Sequence, residues 1–237
     1  ILNISKGLEE VTHLTMSQVL KQELDGCEIA VMSGPSHAEE VSRGIPTTNV
    51  IAARTEEIAN YIQDIIMNPN FRVYTNLDML GVELGGSLKN VIALCAGVLD
   101  GLKLGDNTKA ALMTRGIVEI ARLGKAMGAK AETFYGLSGI GDLIVTCTSM
   151  HSRNRRAGIL IGEGKSCEEA TREVNMVVEG IKTCRAAKEL ADKLGIEMPI
   201  VNQAYGVLFE GMPAADTIKN LMNRSKKHET EEAFLKR

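Results

Sequence analysis

The sequence predicts an α/β piece followed by an all-α unit, that is, part of a doubly wound sheet joined to a helical domain. Two observations carry this. Short apolar runs of strand character alternate with helical stretches over residues 1–77, the pattern of a sheet covered by helices, and from Leu80 onward the strand signal disappears. A third observation sets the kind of core: with no Trp, four Phe and four Tyr in 237 residues, it must be aliphatic.

Within the first unit the strands are expected at Ile1–Ser5, Glu28–Ser33, Thr47–Ala53 and Phe71–Thr75, because these runs are apolar and bounded by Gly, Pro, Asn or Asp. Met16–Leu24, His37–Arg43 and Glu56–Met67 read as the helices between them. Parallel pairing is the default, with a late edge strand as the exception, and the sheet is expected to be incomplete at one end. In the second unit, residues 78–237, Leu84, Leu88, Val91, Ile92, Cys95, Val98, Leu99 and Leu102 follow the three-and-four spacing of one buried helix face. The next helix is expected to be capped by Asp106 or Asn107 and to stop near Gly128. Further helices are predicted at Glu132–Leu137, Arg153–Glu163, Ser166–Val174, Gly180–Leu194, Pro199–Glu210 and Pro213–Met222.

The balance of 27 basic and 30 acidic side chains argues against a nucleic-acid binder, and no apolar run reaches the roughly 18 residues of a membrane span. The five cysteines, Cys27, Cys95, Cys147, Cys167 and Cys184, are scattered without a C-x-x-C pair, which suits reduced thiols in a cytoplasm, and no structural zinc site is expected. The chain opens at Ile1 without Met or a signal core, which reads as a piece of a longer protein. No G-x-G-x-x-G is present. Gly139-Ile140-Gly141 and Gly162-Glu163-Gly164 come nearest, and neither follows a convincing strand.

Four clusters have the composition of a site, each with a bland alternative. Ser5-Lys6-Gly7 ends the first strand, where open α/β sheets place ligands, or is a solvated turn. Ser33-Gly34-Pro35-Ser36 offers backbone N–H groups and a hydroxyl at a helix start, or is a plain turn with Ser36 as cap. Lys89, followed by Asn90, shares a stripe with Ala93, Ala96 and Asp100. Buried, it is an acid or base; at the edge of the buried face, it snorkels. The fourth is a glycine-rich turn, Gly136–Gly141, that delivers Asp142, followed by Thr146 and by Ser152-Arg153-Asn154-Arg155-Arg156. Carboxylate, guanidinium, hydroxyl and amide together suit a phosphorylated polyol, whereas a solvated basic helix start is the alternative.

Taken in order, six blocks resemble the bacterial type of NAD(P)-dependent glycerol-3-phosphate dehydrogenase: Ser5–Gly7, Ser33–Ala38, Glu83–Val91, Gly105–Ala111, Gly139–Leu143 and Ser152–Arg155. The resemblance implies the later part of a Rossmann domain, residues 1–77, and a helical substrate domain like the C-terminal domain of 6-phosphogluconate dehydrogenase, residues 78–237. The first βαβ units and the glycine fingerprint of the family would precede Ile1. It implies reversible reduction of dihydroxyacetone phosphate to sn-glycerol 3-phosphate, supplying phospholipid synthesis, with Lys89 as proton donor and acceptor. Lys6 would lie at substrate and nicotinamide, and Asp142 would hydrogen-bond a substrate hydroxyl or orient Lys89. Gly34, Ser36, Ser152, Arg153 and Asn154 correspond to the substrate-binding set. Ala38, Val177 and Glu179, with Lys6 and Arg153, correspond to cofactor contacts.

The bacterial resemblance points to NADPH/NADP, with NAD as the other choice, because the ribose-reading segment is not in this chain. A phosphorylated small molecule is the expected partner, with no nucleic acid, no membrane span and no metal; a homodimer through the helical domain and a cytoplasmic location are expected. Two other readings stay open at this point: a related hydroxyacid or phosphogluconate dehydrogenase, and a non-catalytic helical interaction module.

Overall fold

The computed structural model describes residues 1–229, so the last eight positions of the expected helical domain lie outside the described residues. The chain begins with β1 (Leu2–Asn3), α1 (Met16–Glu23), β2 (Ala30–Ser33), α2 (Ala38–Val41), β3 (Thr47–Ala53), α3 (Glu56–Ile66) and β4 (Phe71–Asn76). α4 (Met79–Gly101) and α5 (Gly105–Ala126) follow, then a 3-10 turn (Ala131–Tyr135), a π turn (Leu137–Gly141) and α6 (Asp142–Thr148). α7 (Arg153–Gly162), α8 (Cys167–Val174), α9 (Glu179–Leu194), α10 (Pro199–Phe209) and α11 (Ala214–Met222) complete it. The expected architecture therefore forms, an α/β piece and then helices, with no strand after β4 among the described residues.

Local chemistry accounts for most of the ends. Thr15 and Gln18 form a capping box on α1, as Ser166 and Glu169 do on α8, and the Thr55 side chain caps α3. Asn175 and Gly195 end α8 and α9 in the left-handed conformation, and Pro199 starts α10 at a position that needs no N–H.

The sheet departs from expectation in two ways. β1 is two residues long, not five, and the strand order is β1-β2-β3-β4 with β2 and β3 antiparallel. β3 and β4 then pair in parallel, so the direction reverses for half of the sheet and not for one late edge strand. The cause is the short link through the four-residue α2, which is too small to carry a parallel crossover.

The helical part differs more. α4 begins at Met79, capped by the Asp78 side chain on the Gly81 N–H, and is not confined to one buried face. Every residue from Gly81 to Leu99 except Cys95 is buried. Small residues make this possible. Gly97 and Gly101 on α4 meet Gly158 and Gly162 on α7, where an added methyl would run into the opposing backbone. α4 is also long and apolar enough to cross a membrane, contrary to the expectation from the sequence, but 94% of its most apolar window is buried inside the protein. α5 starts at Gly105 (φ +79°) with Leu104 as its cap residue, not Asp106 or Asn107. The helix expected at Glu132–Leu137 is instead the 3-10 and π turns, and α6 was not anticipated.

Glu119 of α5 is 3% exposed and serves the N-terminus of α10, accepting from the Ile200 N–H (2.8 Å) and the Val201 N–H (3.3 Å). Burial pushes its carboxyl up to about 7, against those two N–H groups and the charges of Arg122 and Arg224. A pKa raised on folding contributes stability below the ordinary 4.5 that is lost as pH climbs to about 7. The difference in unfolding free energy between wild type and Glu119→Gln is expected to shrink across that window; a pH-independent difference in denaturant melts overturns it. Gly158→Ala is expected to cost about 1–3 kcal/mol by overpacking α4 against α7, lowering Tm by about 5 °C; an unchanged melt overturns the close-approach account.

Candidate active site

Three elements bring their side chains to one point beneath the carboxyl end of β1. Lys6 follows β1 in a loop held to α4, where the Gly7 N–H donates to Ser87 Oγ (2.8 Å) and Ser87 Oγ donates to the Glu83 carbonyl (2.7 Å). Lys89 sits halfway along α4, and Asp142 opens α6. The π turn before Asp142 packs on α4, with Gly85 so close to it that an added methyl would lie 2.6 Å from the Ser138 carbonyl oxygen. Gly139, where an added methyl would run into the Phe134 carbonyl oxygen, serves close backbone packing within this turn, which is a helical segment and not a loop.

The carboxylate of Asp142 is shared by two ammonium groups. Lys89 Nζ donates to Oδ1 and Lys6 Nζ donates to Oδ2, both at 2.6 Å. Lys89 Nζ also donates to Thr146 Oγ1 at 2.6 Å, and Thr146 Oγ1 donates to the Asp142 carbonyl at 2.6 Å. Lys89 is 5% exposed and Asp142 2%, so Lys89 does not snorkel. Burial holds Lys89 down to about 8, and the charge of Lys6 acts in the same direction, while Asp142 opposes both. Such an ammonium gives up its proton near neutral pH, as a group acting alternately as acid and base must.

The cluster opens on a cavity of about 530 Å³. Of the residues expected from the sequence, Lys6, Ser36, Ala38, Lys89, Ser152, Arg153, Asn154 and Glu179 line it. Asp142 lies behind the two lysines, and neither Gly34 nor Val177, which is 63% exposed, is part of the lining. Gly34 acts on the loop: at φ +151° it packs on Asn49, whose Nδ2 donates to Ser36 Oγ (3.1 Å). Two expected donors have structural duties. Ser152 Oγ caps α7 by accepting from the Arg155 N–H (3.2 Å), and Asn154 Oδ1 accepts from the Gly180 N–H (2.8 Å).

Several lining residues had no role assigned from the sequence. Thr146 had been noted only as part of its cluster; its spacing of four from Asp142 would have flagged it had α6 been recognised. Asn90 Nδ2 donates to Glu179 Oε2 (3.1 Å), tying α4 to α9. His37 lies 5.9 Å from the His151 ring, and burial, with the charge of Lys89, lowers its pKa from the ordinary value. Arg156 completes the wall one helical turn beyond Arg153.

Comparison with known proteins gives the same answer over both units. A family model described as the NAD-dependent glycerol-3-phosphate dehydrogenase C-terminus matches residues 78–219, and the model for the N-terminus matches residues 1–59. A Clostridium perfringens protein named glycerol-3-phosphate dehydrogenase [NAD(P)+] is 63% identical over 229 residues, covering 97% of this chain and 69% of its own length. A Fusobacterium nucleatum protein of the same name is 60% identical, with coverage of 97% and 69%. The crystal structure of glycerol-3-phosphate dehydrogenase from Coxiella burnetii superposes with a TM-score of 0.90 at 41% identity, covering 94% of this chain and 69% of that one. The yeast Saccharomyces cerevisiae enzyme superposes with a TM-score of 0.84 at 25% identity, covering 94% and 67%. These matches set aside both the related-dehydrogenase and the interaction-module readings: the chain belongs to the NAD-dependent glycerol-3-phosphate dehydrogenase family.

Proposed function

We propose that this chain carries the substrate and acid–base machinery of an oxidoreductase that interconverts dihydroxyacetone phosphate and sn-glycerol 3-phosphate, and so supplies glycerol phosphate for phospholipid synthesis. The observation that carries the reading is the buried Lys89 ammonium, held by Asp142 and Thr146 at the wall of a cavity that also presents Lys6 and Arg153. The nicotinamide cofactor, NADPH by resemblance with NAD as the other choice, supplies or takes up the hydride at the substrate carbon.

In reduction, Lys89 Nζ gives a proton to the carbonyl oxygen as that oxygen gains negative charge; in oxidation the neutral amine removes the hydroxyl proton. Asp142 holds the Lys89 amine in place and balances the Lys6 charge in either protonation state. Lys6, with a side chain 23% exposed, adds positive charge at the substrate and nicotinamide. Gly34 shapes the loop of Ser36, and Ser36, Ser152, Arg153 and Asn154 hold the phosphorylated substrate, Arg153 by its bidentate fork.

The remaining residues fit a nicotinamide. Its carboxamide offers one donor and one acceptor, and Glu179, bonded to Asn90 through Oε2, lines the cavity with its other oxygen unbonded among the described residues. Ala38, Lys6 and Arg153 line the same cavity, and Val177, exposed outside that lining, is the remaining proposed cofactor contact. We place the division between the cofactor and substrate units after residue 77, and expect a homodimer through the helical unit. Five cysteines, all unpaired, support a reducing cytoplasm.

Lys89→Ala is expected to lower kcat at least about 100-fold with little change in cofactor affinity. Wild-type turnover, followed by nicotinamide absorbance with dihydroxyacetone phosphate, sinks the assignment. Because Lys89 titrates near 8, kcat/KM for reduction is expected to fall, and that for oxidation to rise, as pH passes through that value. Flat profiles from pH 7 to 9 overturn Lys89 as the proton carrier.

A further inference from the structure

The cavity wall holds two guanidinium groups that make no ion pair with a carboxylate among the described residues. Arg153 and Arg156 stand three residues apart on α7, on one face of its first turns, and both line the cavity. Arg155, between them, is the contrast. Its Nε donates to Asp100 Oδ2 and its Nη1 to the Thr148 carbonyl, each at 2.8 Å, so its charge and donors are used. Arg156 makes one long bond, Nη2 to the Val174 carbonyl at 3.4 Å, and its Nε is buried with no hydrogen-bond partner. Among the described residues no carboxylate lies within ion-pair distance of Arg153 or Arg156.

A half-buried cation with an orphaned N–H is costly unless an acceptor completes it, and an anion answers both the bond and the charge. The wall's two carboxylates make no ion pair with Arg156: Glu179 is bonded to Asn90, and Glu39, exposed, feels the charge of Arg153 without pairing with it. An incoming anion can supply that partner, and phosphate is the anion whose several oxygens match two planar forks.

We infer that Arg156 is a second guanidinium for the substrate's phosphate, sharing the dianion with Arg153 and setting the preference for a phosphorylated three-carbon substrate. The inference rests on the reading above that this cavity takes such a substrate. Arg153 takes two phosphate oxygens through its fork, and the terminal nitrogens of Arg156, which make only one long bond to the Val174 carbonyl, take the third. Lys89 and the first turns of α7 open on the same cavity, so a phosphate held at α7 leaves the rest of a short substrate for Lys89. A phosphate of the cofactor has the same chemistry, and the test separates the two sources.

Arg156→Gln and Arg156→Lys are compared with the unmodified enzyme using dihydroxyacetone phosphate and unphosphorylated dihydroxyacetone, together with calorimetric titration of sn-glycerol 3-phosphate without cofactor. The Gln variant is expected to raise KM for dihydroxyacetone phosphate, and Kd for glycerol 3-phosphate, about 10- to 100-fold. Its kcat, its KM for the cofactor and its kcat/KM for dihydroxyacetone are expected to stay within about a factor of two, with the Lys variant falling between. Unchanged substrate KM in both variants overturns the inference. So does a raised cofactor KM with substrate KM intact, which assigns Arg156 to a cofactor phosphate, or an equal loss on both substrates, which makes its role structural. Arg153→Lys is the control for the underlying reading: if it weakens dihydroxyacetone phosphate while Arg156 variants do not, only this inference fails. An unmodified enzyme without turnover of dihydroxyacetone phosphate fails the reading itself.

Discussion

One carboxylate holds the centre of this molecule together. Asp142 is 2% exposed and lies between two ammonium groups, each 2.6 Å away, which come from different layers of the fold. Lys6 arrives from the loop after β1, Lys89 from the middle of α4, and Asp142 from the start of α6. A charge buried with its partner removed costs about 3–5 kcal/mol, so sheet, central helix and π turn are bound to one arrangement. Two cations on one anion leave Lys89 easy to deprotonate, because burial and Lys6 both work against its charge. The same contacts that fix the geometry thus set the acidity.

The arrangement is possible because α4 is wrapped on every side by close neighbours, and its small residues let them approach. A methyl at Gly86 would lie 2.5 Å from Ser33 Oγ and 3.5 Å from Lys6 Cδ, so β2 and the Lys6 loop rest on α4 at that point. Gly85 does the same for the π turn, and Gly97 with Gly101 for α7. α7 in turn carries Arg153, Asn154 and Arg156 to the cavity, and Asn154 locks it to the start of α9 beside Glu179. The glycines of this chain therefore act mainly through the space they leave. This accounts for many glycines without a dinucleotide fingerprint among them: the cavity is lined by side chains delivered by tightly packed helices.

Much of the fold was legible in the residues, since strand-to-helix alternation, caps such as Ser166 and stops such as Gly195 are local signals. The misread elements share a cause. A helix buried all round has no polar face, so periodicity showed one face of α4 where the structure buries nearly all of it. The 3-10 and π turns from Ala131 to Gly141 follow from packing on α4 and have no sequence period of their own. Missing α6 hid the four-residue spacing of Asp142 and Thr146, and with it the second acceptor of Lys89.

The sequence by itself determined which chemistry was available: a lysine among small residues, a carboxylate after glycines, and an arginine-rich helix start, in an order resembling one enzyme family. Only the tertiary structure decided what those groups do. Whether Lys89 snorkels or is desolvated, and whether Ser152 and Asn154 each also hold a helix while lining the cavity, depends on what lies within hydrogen-bonding distance across the fold. It is likewise packing that neutralises Arg155 and leaves Arg156 without a counterion. Burial and pairing come from residues far apart in the chain, and they set the free energy of a charge; residue type and spacing along one element cannot.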